Sequence, residues 1–197
     1  MLPHQQPIPG DACFFLTLNT VDKIDLFTRP ACKQIIANAL NHFIDTHGLR
    51  VYAWCLMTSH LHLLIQTKES QSPAVFERDF KKYTTPELIK TIEMEIDLRR
   101  DWMLQRFEDF GKSLKKIEKF HVWQSCSSPL HIDRRQPRLL LERIDQIHQN
   151  PVRDQVVEMA ENYMFSSARD YAGMQGLVRV TVLQQQGSSR FKTLSPN

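Results

Sequence analysis

The chain has 197 residues, 42% apolar and 24% charged, and its 25 Lys and Arg against 22 Asp and Glu leave a net charge of +3. That composition can bury a sizeable core, fits one domain with appendages, and excludes the low-hydrophobicity, high-charge class that stays disordered. The charge excess is too small to announce a nucleic-acid binder by itself.

No run approaches the ~18 apolar residues of a membrane span. The opening MLPHQQPIPGD has neither the basic nor the apolar part of a signal peptide, so a cytoplasmic protein with no membrane contact is expected. Cys13, Cys32, Cys55 and Cys126 are far apart with no Cys-x-x-Cys pair, which argues for small buried hydrophobes rather than a zinc or disulfide framework.

In chain order, Ala12 to Asn19 is rich in strand formers and reads as a first strand. Pro30 opens a helix whose apolar positions Ile35, Ile36, Ala39, Leu40, Phe43 and Ile44 recur at helical spacing up to Gly48. Arg50 to Met57 and His60 to Gln66 are strand-like and separated only by Thr58 and Ser59, which implies a hairpin. Ala74 to about Lys119 is helical in composition with a break expected near Thr84, Thr85 and Pro86. Val122 to Ile132 reads as a short strand or extended loop. Pro137 starts a helix that Pro151 should end at Asn150. A shorter helix at Gln155 to Ala160 and a strand at Leu177 to Leu183 follow, and from Gln184 the composition predicts a loose tail.

This order predicts an α+β fold: a ferredoxin-like (RRM-like) antiparallel sheet with helices packed on one face and the other face open. The domain would span residues 1–183, its core starting near 12, with residues 184–197 as a flexible C-terminal tail.

His60-Leu61-His62 carries the most local chemistry. Residues two apart in a strand point to the same face, roughly 6.5 Å apart, so both imidazoles project together while Leu61, Leu63 and Ile65 point the other way. Two neutral imidazoles suit a divalent ion and leave room for a third ligand and substrate oxygens. Two histidines decorating the exposed side of a half-buried strand would give the same pattern. On the helix ending at Asn150, Leu140, Ile144 and Ile147 form the apolar seam, and Arg143, Gln146 and Asn150 form a neighbouring polar face. His148 falls ~200° around from Gln146 and cannot easily join it.

The motifs YAWCLMTSHLHLLIQ, FKKYTTPELIK, VWQ, IHQNPVRDQVV and ENYMFSSARDY, in this order, resemble the REP-associated tyrosine transposases, relatives of the single-strand insertion-sequence transposases in the HUH nuclease superfamily. The resemblance runs from about Cys13 to Leu183 and implies a ferredoxin-like sheet. It implies that His60, His62 and Asn150 are ligands of Mg²⁺ or Mn²⁺ and that the partner is single-stranded or hairpin DNA. In that scheme a tyrosine attacks the scissile phosphate, leaving a 5′-phosphotyrosine link.

The family's nucleophile lies four residues before the asparagine, and here that position is Gln146, whose amide cannot serve. Thr58 and Ser59 stand where the family often has Pro-Asn, a change confined to the hairpin turn.

The expected function is therefore DNA binding with a metal-assisted site for cleavage and strand transfer, impaired by the missing tyrosine. Three readings stay open: Tyr83 as substitute nucleophile, metal-bound water in place of a tyrosine, or a catalytically inactive DNA-binding protein. Outside nucleic acids the alternative is a small-molecule metallohydrolase. The protein would act as a monomer or homodimer.

Candidate phosphate-binding residues are Lys112, Lys115, Lys116 and Lys119 at helical spacing, and Arg134, Arg135, Arg138 and Arg143 around the start of the last long helix. Interleaved Asp and Glu also fit a plain solvated surface. Tyr52, Trp54 and Trp123 are candidates for stacking bases on an open sheet face, with core packing as the alternative.

Overall fold

The computed structural model describes residues 12–68, 71–114, 119–124, 129–186 and 190–194. Strands β1 (Ala12–Asn19), β2 (Arg50–Leu56), β3 (His60–Gln66) and β4 (Leu130–Asp133) form one sheet in the order β2-β3-β1-β4. All of its neighbours are antiparallel. This is the expected ferredoxin-like arrangement: β2 and β3 form the hairpin, and β1 lies between β3 and β4.

Alternation along the strands gives the sheet two apolar faces. Phe14, Leu16 and Leu18 of β1 and Leu61, Leu63 and Ile65 of β3 point into a core shared with α1 (Pro30–His47), α2 (Pro73–Met94) and α3 (Arg100–Ser113). Helix α1 ends at Gly48, whose φ of 64° is the left-handed geometry in which glycine has no side chain to strain.

The break expected at Thr84 to Pro86 is absent. Helix α2 runs through Pro86 because Phe76 and Phe80 before it and Leu88, Ile89 and Ile92 after it are all buried in the same core. The ring removes one helical hydrogen bond, while the hydroxyls of Thr84 and Thr85 donate to the carbonyls of Phe80 and Lys81 at 2.9 and 2.7 Å. The chain turns instead between α2 and α3, where the buried Arg29 holds Asp97 at 2.5 Å.

The second face, expected open, is covered. Helix α4 (Pro137–His148) lays Leu140, Ile144 and Ile147 against Cys13, Tyr52, Ala53, Cys55 and Leu64. The helix expected to end at Asn150 stops at His148, and a short α5 (Asn150–Arg153) begins at once. Next, residues 165–167 run along the outer edge of β2, with the Leu56 N–H donating to the Phe165 carbonyl at 2.9 Å and the Ser167 N–H to the Trp54 carbonyl at 3.0 Å. Tyr52, Trp54 and Trp123 are consequently core residues, 0%, 0% and 4% exposed, and none presents a face for stacking a base.

Of the short strand or extended loop expected at Val122 to Ile132, the described residues form a bridge between Trp123 and Thr20 and, from Leu130, the start of β4. In place of a helix at Gln155 to Ala160 the chain makes turns and one 3₁₀ turn at Ala160–Asn162. A short α6 (Ala168–Tyr171) precedes β5 (Val182–Gln186), which pairs with β6 (Arg190–Leu194), so the stretch read as a loose tail contains a hairpin. No helix among the described residues is long and apolar enough to cross a membrane.

Candidate functional site

The period of two along β3 turns His60 and His62 to the α4 side of the sheet, their ring centroids 4.7 Å apart. Each Nδ1 faces a hydroxyl. His62 meets Thr17 Oγ1 at 2.9 Å, its direct cross-strand partner on β1, and His60 meets Ser59 Oγ at 3.4 Å. Burial holds the His62 pKa down at about 4, with the neighbouring His60 adding to the effect. Burial also lowers His60, partly offset by the Asp154 carboxylate. Both imidazoles are therefore neutral at pH 7, with Nε2 as the nitrogen left for a ligand.

The polar face of α4 reaches the same place through a short chain of contacts. Phe15 of β1 stacks on His62, with centroids 5.9 Å apart, and the Arg143 guanidinium lies over the Phe15 ring at 5.6 Å. Arg143 also donates to Gln146 Oε1 at 2.5 Å. Gln146 is thus on the sheet face that carries the histidines. Asn150 turns its amide nitrogen back onto α4, donating to the carbonyls of Gln146 and Ile147 at 2.8 and 3.2 Å, and its Oδ1 accepts no hydrogen bond among the described residues. An amide oxygen and two neutral imidazoles are a donor set that fits a divalent cation. Among the described residues no group of three or more His, Cys, Asp or Glu is arranged to hold a metal.

The four tyrosines all have other places. Tyr83 stacks on His42 at 4.5 Å, with the two rings only 8° from parallel, on the α1–α2 layer behind the opposite face of the sheet. Tyr83, the expected substitute nucleophile, is carried by α2, which packs where Leu61 and Leu63 point, away from His60 and His62. Tyr52 donates to Gln66 Oε1 at 2.6 Å, Tyr163 to the Leu56 carbonyl at 2.7 Å and Tyr171 to the Tyr52 carbonyl at 3.0 Å. Burial raises the pKa of all three. These phenols are protonated structural donors.

The basic candidates separate into two groups. Lys112 and Lys119 both lie against Glu108, at 2.8 and 3.7 Å, at the end of α3 in the other layer. Lys115 and Lys116 lie outside the described residues. Arg135 pairs with Asp133 at 2.7 Å and Arg138 with Glu142 at 3.1 Å. Arg134 and Arg143 have no carboxylate within 4.0 Å among the described residues, and each lies 5.6 Å above an aromatic ring of the sheet, Tyr52 and Phe15 respectively. A cavity of about 490 Å³ lined by Gly48, Leu49, Arg50, Gln66, Thr67 and Lys68 is at the far end of the β2–β3 hairpin from His60.

Residue-level reading of the sequence missed Thr17, Phe15 and Asp154. The first two need the β1–β3 register; Asp154 could have been found one helical turn beyond Asn150, where its N–H donates to the Asn150 carbonyl at 3.0 Å.

A four-stranded ferredoxin-like sheet with a neutral His-x-His pair facing a polar helix defines an α+β protein built like the single-strand transposases. Residues 16–102, which contain the histidine pair, match the family model described as transposase, IS200 like. Among solved structures, one described as a REP-associated tyrosine transposase bound to a REP hairpin is similar at 16% identity, with a TM-score of 0.56 over 96% of this chain and 97% of that chain. A candidate transposase from Deinococcus radiodurans is similar at 13% identity and a TM-score of 0.41, over 75% of this chain and 96% of that chain. No curated protein matches the chain.

Proposed function

We propose that this chain binds single-stranded or hairpin DNA at the α4 side of its sheet, with residues 1–183 as the transposase-like domain, and that it forms no phosphotyrosine link. The observation that carries the reading is the gathering of His60, His62, Arg143 and Gln146 on one face, while the hydroxyls of Tyr52, Tyr163 and Tyr171 make buried structural hydrogen bonds and the Tyr83 ring stacks on His42 in the other layer. The family of residues 16–102 and the hairpin bound to the solved neighbour support nucleic acid as the partner.

His60, His62 and Asn150 would hold Mg²⁺ or Mn²⁺, which when bound supplies Lewis-acid polarisation of a phosphate oxygen. The protein's own part is to keep both imidazoles neutral by burial, to orient them through Thr17 and Ser59, and to place cations against the phosphate backbone. The Gln146 amide is too weak an acid and too weak a nucleophile to attack a phosphodiester, so the strand is held rather than captured.

The test is incubation with a single-stranded DNA hairpin and Mn²⁺ or Mg²⁺, using the native protein, Gln146→Tyr, and Gln146→Tyr combined with His60→Ala. The expected result is binding without adduct by the native protein, a metal-dependent covalent adduct with Gln146→Tyr, and its loss in the double variant. Adduct in the native protein would overturn the claim of non-covalent holding. Cut DNA released without adduct would replace it with hydrolysis by water, and absence of binding by every variant would remove DNA as the partner.

A further inference from the structure

We infer that Arg143, braced by Gln146 at the position where the related enzymes place their attacking tyrosine, is a phosphodiester-holding site beside His62; the inference rests on the DNA-binding reading above and names the contact that holds the strand there.

The charge of Arg143 is uncancelled. Among the described residues no carboxylate lies within 4.0 Å of it, whereas Arg135, Arg138, Lys112 and Lys119 each have one. Its neighbours Glu142 and Asp145 are one and two positions away on α4, a spacing that does not bring side chains together, and Glu142 holds Arg138. The two groups that do touch Arg143 are a neutral amide oxygen at 2.5 Å and the face of Phe15. Both orient a guanidinium without neutralising it.

Its Nε is buried and has no hydrogen-bond partner among the described residues. Buried donors are nearly always paired, and one left over beside a half-exposed fork is the state expected of a guanidinium waiting for an oxyanion that accepts two parallel N–H bonds.

Glutamine suits this role better than the residues nearest to it in shape or chemistry. Glutamate at 146 would cancel the guanidinium. Glutamine accepts from Arg143 through Oε1 and retains its NH₂ as a further donor for the same phosphate oxygen. Gln146 is accordingly a positioning residue, and Arg143 makes the contact.

The test is DNA-hairpin affinity by fluorescence anisotropy in EDTA, across salt from about 50 to 200 mM, where each phosphate contact on a single strand contributes roughly 0.7 to the slope of log affinity against log salt. Arg143→Gln should bind about tenfold more weakly near 0.1 M salt and lose about 0.7 of slope. Gln146→Glu should match that loss. Gln146→Ala should show part of it and add nothing on top of Arg143→Gln, because the two side chains act as one unit. A purely structural Gln146 would change melting temperature and leave the slope alone. Gln146→Glu carries the test by itself if Arg143→Gln fails to fold.

A second measurement separates phosphodiester from free phosphate. The buried Nε–H of Arg143 should give a protected NMR resonance that moves on adding hairpin DNA and moves less, at far higher concentration, with inorganic phosphate. If the native protein binds no DNA while phosphate still moves the resonance, the DNA reading falls and the anion site stands. If DNA binds with slope and resonance indifferent to residues 143 and 146, the anion site falls and the DNA reading stands.

Discussion

Thr17 and His62 face each other across the β1–β3 register, and their side chains meet with the hydroxyl oxygen 2.9 Å from Nδ1. The contact commits Nδ1 and leaves Nε2 for a ligand, which is how metal-ligating histidines are usually oriented by a partner behind them. Replacing Thr17 by Val keeps the shape and removes the hydrogen bond. Burial still keeps the ring neutral at pH 7, so the loss reads orientation and not charge. Mn²⁺ affinity measured by calorimetry should fall about 10- to 100-fold in Thr17→Val. Unchanged affinity would show that the hydroxyl does not orient the ligand.

The start of β3 is also held from the opposite layer. Thr84 accepts the indole N–H of Trp123 at 3.0 Å while donating to the Phe80 carbonyl, and both side chains are buried. Trp123 forms a bridge with Thr20, whose N–H donates to the Ser59 carbonyl just before His60. Thr84→Val leaves the indole N–H without its acceptor, and urea unfolding should register a loss of about 1–3 kcal/mol. A loss below about 0.5 kcal/mol, within the range of neutral surface changes, would mean that the indole has found another acceptor.

The sheet and α1 were legible because their signals are local: alternation for β1 and β3, helical spacing and a glycine stop for α1. What the sequence did not carry was sidedness. Leu140, Ile144 and Ile147 announce that α4 packs, but nothing in their spacing says onto which face of the sheet, so the face expected open turned out to be covered. Alternation also failed locally at the β2 irregularity between Val51 and Ala53, which puts Tyr52 and Ala53 in the same core. Pro86 misled for a related reason, since burial on both sides of it outweighed one lost hydrogen bond. In the site, the histidine pair followed from a period of two, and the Arg143–Gln146 neighbourhood was implicit in their three-residue spacing on a helix. That Arg143 would lie on Phe15, and Phe15 on His62, required the register and the face together.

Ser167 ties the terminal segment to both β2 and α4. Its hydroxyl accepts the Trp54 N–H at 2.9 Å and lies 2.8 Å from His148 Nε2, all within a fully buried setting. Ser167→Ala removes partners from two buried groups at once. The expected loss is about 1–3 kcal/mol, which for a chain of this size lowers the melting temperature by about 2–4 °C per kcal/mol. Because α4 carries Arg143 and Gln146, hairpin-DNA affinity should weaken alongside stability when measured near the new melting temperature and recover on cooling. An affinity loss that persists well below melting would point to a direct role for the terminal segment in binding.

The buried thiols give a prediction for alkaline pH with a definite sign. Burial pushes Cys32 and Cys55 from an ordinary 9.0 up to about 12, and Cys13 is also buried. The folded state therefore keeps these protons longer than the unfolded state does. Stability contributed by that difference is whole below pH 9 and is lost as pH rises toward 12, because the unfolded chain deprotonates first. The raised pKa of Tyr163 and Tyr171, also from burial, acts in the same direction above their ordinary value of 10.0. The urea midpoint should accordingly fall between pH 8 and pH 10.5, more shallowly in Cys55→Ala. In parallel, iodoacetamide at pH 8 should leave Cys13, Cys32 and Cys55 unmodified in the native protein, by peptide mapping, and modify all three once urea is added. Labelling of Cys55 under native conditions would show that the edge of β2 opens away from residues 165–167, and that the terminal segment is a less permanent cover than its hydrogen bonds to Trp54 and Leu56 imply.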